Sequence, residues 1–240
     1  MTHIPDSNKT GTQDLADVEA LLTSDKNVIT LLQGNGDFRS PECIKALQEA
    51  DIVVSNPPFS LFRDYIHTLI SHEKKFLVLG NQNAITYKEI YPLIKANKLW
   101  LGYNNGGTKW FQVPDDYTHT TTKSRIKVEN GKRYLSMGSV YWFTNLDTTK
   151  RHEELTLVKR YTPEEYPTYD NDEAIEVARY NEIPDGYAGT MGVPLTYLQY
   201  YNPEQFEIVK FRKGNDGKDL TINGHSKYFR IVIRNKNLER

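Results

Sequence analysis

Ile52-Val53-Val54-Ser55-Asn56-Pro57-Pro58-Phe59-Ser60-Leu61-Phe62 is the stretch that decides how this chain reads. An apolar run ends in a polar residue, two prolines and an aromatic, and helical spacing begins at Leu61-Phe62-Arg63-Asp64-Tyr65-Ile66. Proline fixes φ, removes a backbone donor and keeps the preceding residue extended, so Asn56 to Phe59 makes a stiff corner after a strand. In open α/β sheets such corners lie at the carboxyl edge of the strands, where ligands bind.

The corner suits one chemistry well. The exocyclic amine of adenine is a poor nucleophile because its lone pair is delocalised into the ring. The Asn56 side-chain oxygen and the Pro57 carbonyl can each accept a hydrogen bond from it, localising the lone pair towards a methyl donor. Phe59 offers a stacking face, and Pro58 stiffens the backbone between them; this is how a base flipped out of a duplex is held. An RNA adenine or a protein glutamine amide is a planar nitrogen needing the same help, so the corner alone leaves those acceptors open. A strand followed by a Pro-Pro turn is the purely structural alternative.

Outward from the corner, Ser60 to Ser71 reads as a helix, Phe76 to Leu79 as a buried strand, Ala84 to Asn97 as a helix and Leu99 to Tyr103 as a short strand. Upstream, Asp14 caps a helix to Leu22, Val28 to Leu32 reads as a strand, Gly34 to Phe38 as a loop, and Ser40-Pro41 opens a helix to Ala50. Downstream, Tyr134 to Asn145 is strand-like and aromatic, as suits late sheet strands, and residues 153–190 read as an irregular acidic stretch. Phe206 to Lys210 and Tyr228 to Arg234 alternate as strands joined by a Gly/Asp/Asn-rich connection. The βαβα alternation predicts an α/β fold with a parallel sheet. The expected organisation is a linker at 1–13, a catalytic core at 14–150, and a C-terminal extension at 151–240 that contacts DNA.

With 240 residues and 38% apolar content the chain can bury a substantial core. Its net charge of −1 gives no global pull towards nucleic acid, so phosphate contacts must come from local asymmetry. Residues 207–240 are basic, with Lys210, Arg212, Lys227, Arg230 and Arg234 as candidate nucleic-acid contacts. Lys109, Lys123, Arg125, Lys127, Lys132 and Arg133 make a second basic region, a candidate for target recognition together with 186–205. Asn81, Gln82 and Asn83 read as edge or phosphate readers, or with Asn83 as a helix cap. Gly106-Gly107 with Trp110 and Phe111 reads as a turn anchored by aromatics or a loop closing over the target. The single Cys43, and the lack of any long apolar run, argue for a cytoplasmic protein without a membrane span. The six histidines show no ligand spacing, so no metal is expected.

From Gly36 onward the chain resembles the EcoRI-type adenine-specific DNA methyltransferases. The resemblance is carried by residues 36–43, 50–62, 80–90, 142–146 and 201–209, several ordered segments spread over most of the sequence. It implies a Rossmann-like methyltransferase sheet, S-adenosylmethionine as methyl donor and N6 of adenine in double-stranded DNA as acceptor, in a restriction-modification or phage system. It also implies that Asp37 and Phe38 meet the donor's adenine ring, by hydrogen bond and by stacking, and that Asn56 to Phe59 is catalytic. Such an enzyme needs a first strand with a Gly-x-Gly loop and a second strand ending in an acid. Gly34-Asn35-Gly36 lies only about twenty residues before Asn56, room for one helix rather than two further βα units. The donor-binding half is therefore expected to be incomplete in residues 1–35. The alternative is a DNA-binding remnant, or a subunit to which a complementing chain supplies that half.

Overall fold

The computed structural model describes residues 9–11, 15–23, 32–103, 105, 109–117, 123–136, 138, 140–212 and 219–238. The chain divides into two compact units, residues 1–49 and 50–240. The boundary expected at 150/151 falls inside the larger unit.

In the smaller unit, α1 (Leu15–Thr23) and α2 (Pro41–Glu49) are the helices that the periodicity predicts. Ser40 caps α2, its hydroxyl accepting from the Cys43 N–H at 3.3 Å, with proline in the first helical position. Asp14 and Val28 to Leu31 lie outside the described residues, so the expected cap and nearly all of the expected strand are not placed.

In the larger unit, β1 (Ile52–Ser55) leads into a 3-10 turn (Phe59–Leu61) and α3 (Phe62–Ser71), then β2 (Lys75–Asn81). The apolar runs are strands because they are short and β-branched, and α3 is helical because Phe62, Ile66 and Leu69 recur on one buried face. β1 and β2 pair in parallel, Ile52 opposite Lys75 through Ser55 opposite Val78. Phe76 and Val78 are fully buried. Gly80 continues their face of β2, since side chains alternate along a strand.

Gly80 sits under the corner's helix for a steric reason. A β-carbon there would stand 2.5 Å from Cε2 of Phe62 and 2.9 Å from Cε2 of Phe143. Phe62 and Phe143 meet edge to face with centroids 4.9 Å apart, a favourable aromatic geometry. Gly80 thus lets Phe62 seat on the sheet, three residues beyond Phe59. Gly80→Ala is expected to cost about 2 kcal/mol by overpacking, read as a lower urea midpoint with an unchanged m-value.

The expected helix over 84–97 is broken in two, a 3-10 turn (Gln82–Thr86) and α4 (Tyr91–Lys95). Pro92 explains the break: within a continuous helix it would lack a donor and clash with the carbonyl of residue 88, whereas near the start of α4 neither matters. β3 (Trp100–Leu101) follows. Residues 109–136 then form a separate antiparallel sheet, β4 (Trp110–Val113), β5 (Ile126–Glu129) and β6 (Lys132–Ser136), ordered β4-β6-β5. β7 (Val140–Thr144) returns to the first sheet. The strand-like stretch 134–145 is thus two strands in different sheets, divided near Gly138, whose φ of +68° only glycine adopts readily.

The first sheet is ordered β1-β2-β7-β3, with β7 antiparallel to both neighbours. Asparagine side chains complete its ladder. Asn145 accepts from the Phe76 N–H at 2.9 Å and donates to the Lys74 carbonyl at 2.8 Å, and Asn105 accepts from the Trp142 N–H at 2.8 Å. Strand β1 lies at an edge, and its apolar run is only half covered: Ile52 is 52% and Val54 68% exposed. A continuous apolar run reads as a strand buried on both faces; here nothing in the larger unit covers the face of Val54. Val54→Lys is accordingly expected to change stability by less than about 0.5 kcal/mol, measured by thermal unfolding.

The C-terminal region adds β8 (Lys159–Arg160), β9 (Ile175–Glu176), β10 (Pro184–Asp185), β11 (Thr190–Pro194), β12 (Phe206–Arg212), β13 (Leu220–Ile222), β14 (His225–Lys227) and β15 (Arg230–Asn235). Four of these form a sheet ordered β12-β15-β11-β9, cored by Met191, Val193, Phe206, Ile231 and Ile233. It is tied to the first sheet's helices: Tyr91 stacks on Phe211 at 4.7 Å, and the Lys95 ammonium donates to the Val209 carbonyl at 2.5 Å.

Candidate active site

Asn56 follows the last residue of β1 at its carboxyl end. Pro57 is buried, while Asn56, Pro58 and Phe59 reach solvent, Phe59 at 38% exposure. Pro58 has φ −55° and ψ 125°, and its carbonyl accepts from the Leu61 N–H at 2.9 Å, which starts the helical turn. The prolines thus carry the chain out of the strand, anchor it through Pro57 and leave an amide and an aromatic ring at the surface. Among the described residues no hydrogen bond engages the Asn56 side chain. Its oxygen is free to accept from a substrate, at no cost in native contacts.

The neighbouring strand β2 ends at the same edge. There the Asn81 side chain accepts from the Asn83 N–H at 2.8 Å, and Asn81 is the N-cap of the 3-10 turn. Asn81, rather than Asn83, is therefore the cap, which sequence position alone does not distinguish. The Thr86 hydroxyl donates to the Asn83 carbonyl at 2.9 Å.

In the smaller unit, Asp37 accepts from Arg39 three times: from its backbone N–H at 2.9 Å, its Nε at 3.0 Å and its Nη2 at 2.8 Å. The Arg39 side chain, bonded to the exposed carboxylate, lowers the Asp37 pKa to about 2, so Asp37 is ionised at neutral pH. The Arg39 guanidinium also lies 5.3 Å from the centre of the Phe38 ring. Oδ1 of Asp37 already accepts twice, so Oδ2 is the oxygen that keeps a lone pair for a ligand N–H. The loop before Asp37 is committed elsewhere: the Glu42 carboxylate accepts from the N–H groups of Gln33 and Gly34, both at 2.8 Å. Gly34-Asn35-Gly36 is thus closed by α2 rather than open towards a ligand, in line with the spacing that sets it apart from a donor-binding glycine loop.

The basic C-terminal candidates fare differently from one another. Arg230 points inward: its guanidinium grips the Glu176 carboxylate, with Nε 3.0 Å from Oε2 and Nη2 2.5 Å from Oε1, and only 14% of the side chain is exposed. Lys210 is paired with the buried carboxylate of Asp172, and the Nε of Arg212 is buried. Lys227 and Arg234 are half-buried. Arg230 is therefore an internal counter-charge, a correction to the phosphate role that its spacing suggested, whereas Lys210 pairs with Asp172 with 38% of its side chain exposed. The residues that determine this, Tyr169, Asp172 and Glu176, sit in an acidic stretch that reads from sequence as a solvated surface. His152 bridges Asp147 at 2.9 Å and Glu204 at 3.1 Å, and both partners, Asp147 first, raise its pKa. Among the described residues no cluster of His, Cys, Asp or Glu is arranged to hold a metal.

The structure thus shows a strand-borne Asn-Pro-Pro-Phe corner on a mixed α/β scaffold. The chain belongs to the family described as adenine-specific methyltransferase EcoRI, which matches residues 1–236. It is 53% identical over 210 residues to the Type II methyltransferase M.EcoRI of Escherichia coli, an alignment covering 86% of this chain and 64% of that protein. It is 40% identical over 237 residues to the Type II methyltransferase M.MgeORF184P of Mycoplasma genitalium, covering 90% of this chain and 75% of the relative. To M.MpnI of Mycoplasma pneumoniae it is 36% identical over 224 residues, covering 85% and 70%. The chain thus spans about two thirds to three quarters of the length of these relatives. No solved structure matches it.

Proposed function

We propose that this chain carries the catalytic portion of a DNA methyltransferase that moves a methyl group from S-adenosylmethionine to N6 of adenine, as part of a restriction-modification system. The observation that carries the reading is the corner itself: an exposed, unengaged Asn56 amide and a half-exposed Phe59 ring, held by a buried Pro57 at the carboxyl end of β1. In this reading the target adenine leaves the duplex and stacks on Phe59. The Asn56 oxygen and the Pro57 carbonyl accept from its amino group, and the proton released on methylation passes to solvent.

The donor supplies an electrophilic methyl group when bound. Asp37, ionised and exposed, and Phe38 are the residues that this chain offers to the donor's adenine ring. The parallel β1/β2 pair with the corner at its carboxyl edge supports a Rossmann-like sheet. Among the described residues no strand pairs with the outer edge of β1, and there the remaining strands of such a sheet would join, carried by the same polypeptide or by a complementing chain. Calorimetric titration of the 240-residue chain with S-adenosylmethionine, followed by mass spectrometry of methylated DNA, tests the reading. Micromolar binding with N6-methyladenine formed supports it. Methyl transfer found only on RNA or on a glutamine amide would replace it.

A further inference from the structure

We infer that the β4-β6-β5 ribbon is a DNA-docking element that sets Phe111 against the bases and Arg125 and Lys132 against the backbone; this rests on duplex DNA being the substrate. The first support is where the ribbon is rooted. β3 runs parallel to β2, because each is antiparallel to β7, so the chain leaves the sheet after Leu101 at the carboxyl edge. It returns at Val140, which pairs with Asn81. Both roots therefore lie at the edge where Asn56 emerges from β1. The root is pinned as well: the Asn105 amide donates to the Gly102 carbonyl at 2.7 Å and accepts from the Trp142 N–H at 2.8 Å.

The second support is the ribbon's own surface. Its register places Phe111, Leu135 and Ile126 in one row and Val113, Arg133 and Val128 in the next, all on one face. On that face Phe111 is 50% and Val128 70% exposed. The opposite face is stiffened by Lys127, whose ammonium lies 5.3 Å from the Trp110 ring centre, 5.1 Å from that of Tyr134 and 2.7 Å from Glu129. An aromatic held out on a rigid antiparallel ribbon is what a wedge against a base step requires.

Charge selects DNA over a protein partner. Residues 109–136 hold six Lys/Arg against three acids in a chain whose net charge is −1. Arg125 and Lys132 are exposed, Lys132 on the face opposite Phe111. The centre of a protein interface is depleted of such charge, whereas a duplex is bound through it.

The test is fluorescence anisotropy of a labelled mixed-sequence duplex titrated with the full chain over a series of salt concentrations. Phe111→Ala is expected to weaken binding by about fivefold or more, the lower end of one base-stacking contact. Arg125→Gln with Lys132→Gln is expected to flatten the slope of log K against log salt by about two. Lys98→Gln, before β3 at the opposite edge, should leave both unchanged. Phe111, Arg125 and Lys132 are exposed, and equal melting temperatures confirm that the variants are folded. Variants that bind within twofold of the parent with its salt slope overturn the ribbon's role and leave the methyltransferase reading standing. A parent chain that binds no duplex even at low salt overturns both.

Discussion

Asn56→Ala is expected to lower the rate of adenine methylation by about 10²–10³-fold, the usual loss when one preorganised hydrogen-bonding group is removed from a reacting centre. Asn56 is exposed and engaged by no described residue, so the substitution should leave the melting temperature unchanged and the apparent affinity for DNA nearly so. The loss should fall on kcat rather than KM, because the amide oxygen strengthens its hold only as the amine gains positive charge. Asn56→Asp separates this from simple disruption. A carboxylate still accepts from the amine, so the aspartate variant should retain more activity than alanine, whereas a merely structural asparagine would not discriminate between them. Single-turnover transfer of labelled methyl groups into DNA measures both. An alanine variant with full activity would remove the corner from the mechanism.

The largest effect on stability is expected at Glu176. Its carboxylate is 7% exposed and takes both Nε and Nη2 of Arg230 together with the hydroxyl of Tyr169. Burial first, and then the bond to Glu176, push the Tyr169 phenol well above its usual pKa, so it remains a donor throughout the accessible range. Gly192 belongs to the same arrangement, since a β-carbon there would collide with the Tyr169 hydroxyl. Glu176→Ala removes the carboxylate from a guanidinium and a phenol that are largely buried, leaving them only the carbonyls of Tyr228 and Gly192. Breaking such a pair costs about 3–5 kcal/mol, which for a chain of this size lowers the melting temperature by roughly 10 °C. Removing both charges, as in Glu176→Met with Arg230→Leu, should recover much of that loss, because the penalty lies in the orphaned charge. Differential scanning calorimetry of the single and double variants decides it. Equal losses in the two would mean that packing, not charge, holds β9 to β15.

The sequence by itself determined the corner on which the proposed chemistry rests. Asn56-Pro57-Pro58-Phe59, a strand before it and a helix after it are local facts, set by proline's fixed φ and by the spacing of Val53, Phe62, Ile66 and Leu69. So is the cap at Ser40. What needed the tertiary structure was everything that depends on which segment lies opposite which. Residues 134–145 read as strand-like and aromatic, yet Gly138 divides them between two sheets, and only pairing partners distinguish a bent strand from two. The basic spacing of Lys210 and Arg230 is the same whether they face phosphate or carboxylate; Asp172 and Glu176, 38 and 54 residues away, pair with them, and of the two Arg230 is the one drawn inward. Ile52 and Val54 read as core because hydrophobicity records what a strand can bury. Whether it does bury them depends on a neighbour, and in the larger unit β1 has a neighbour on one side only.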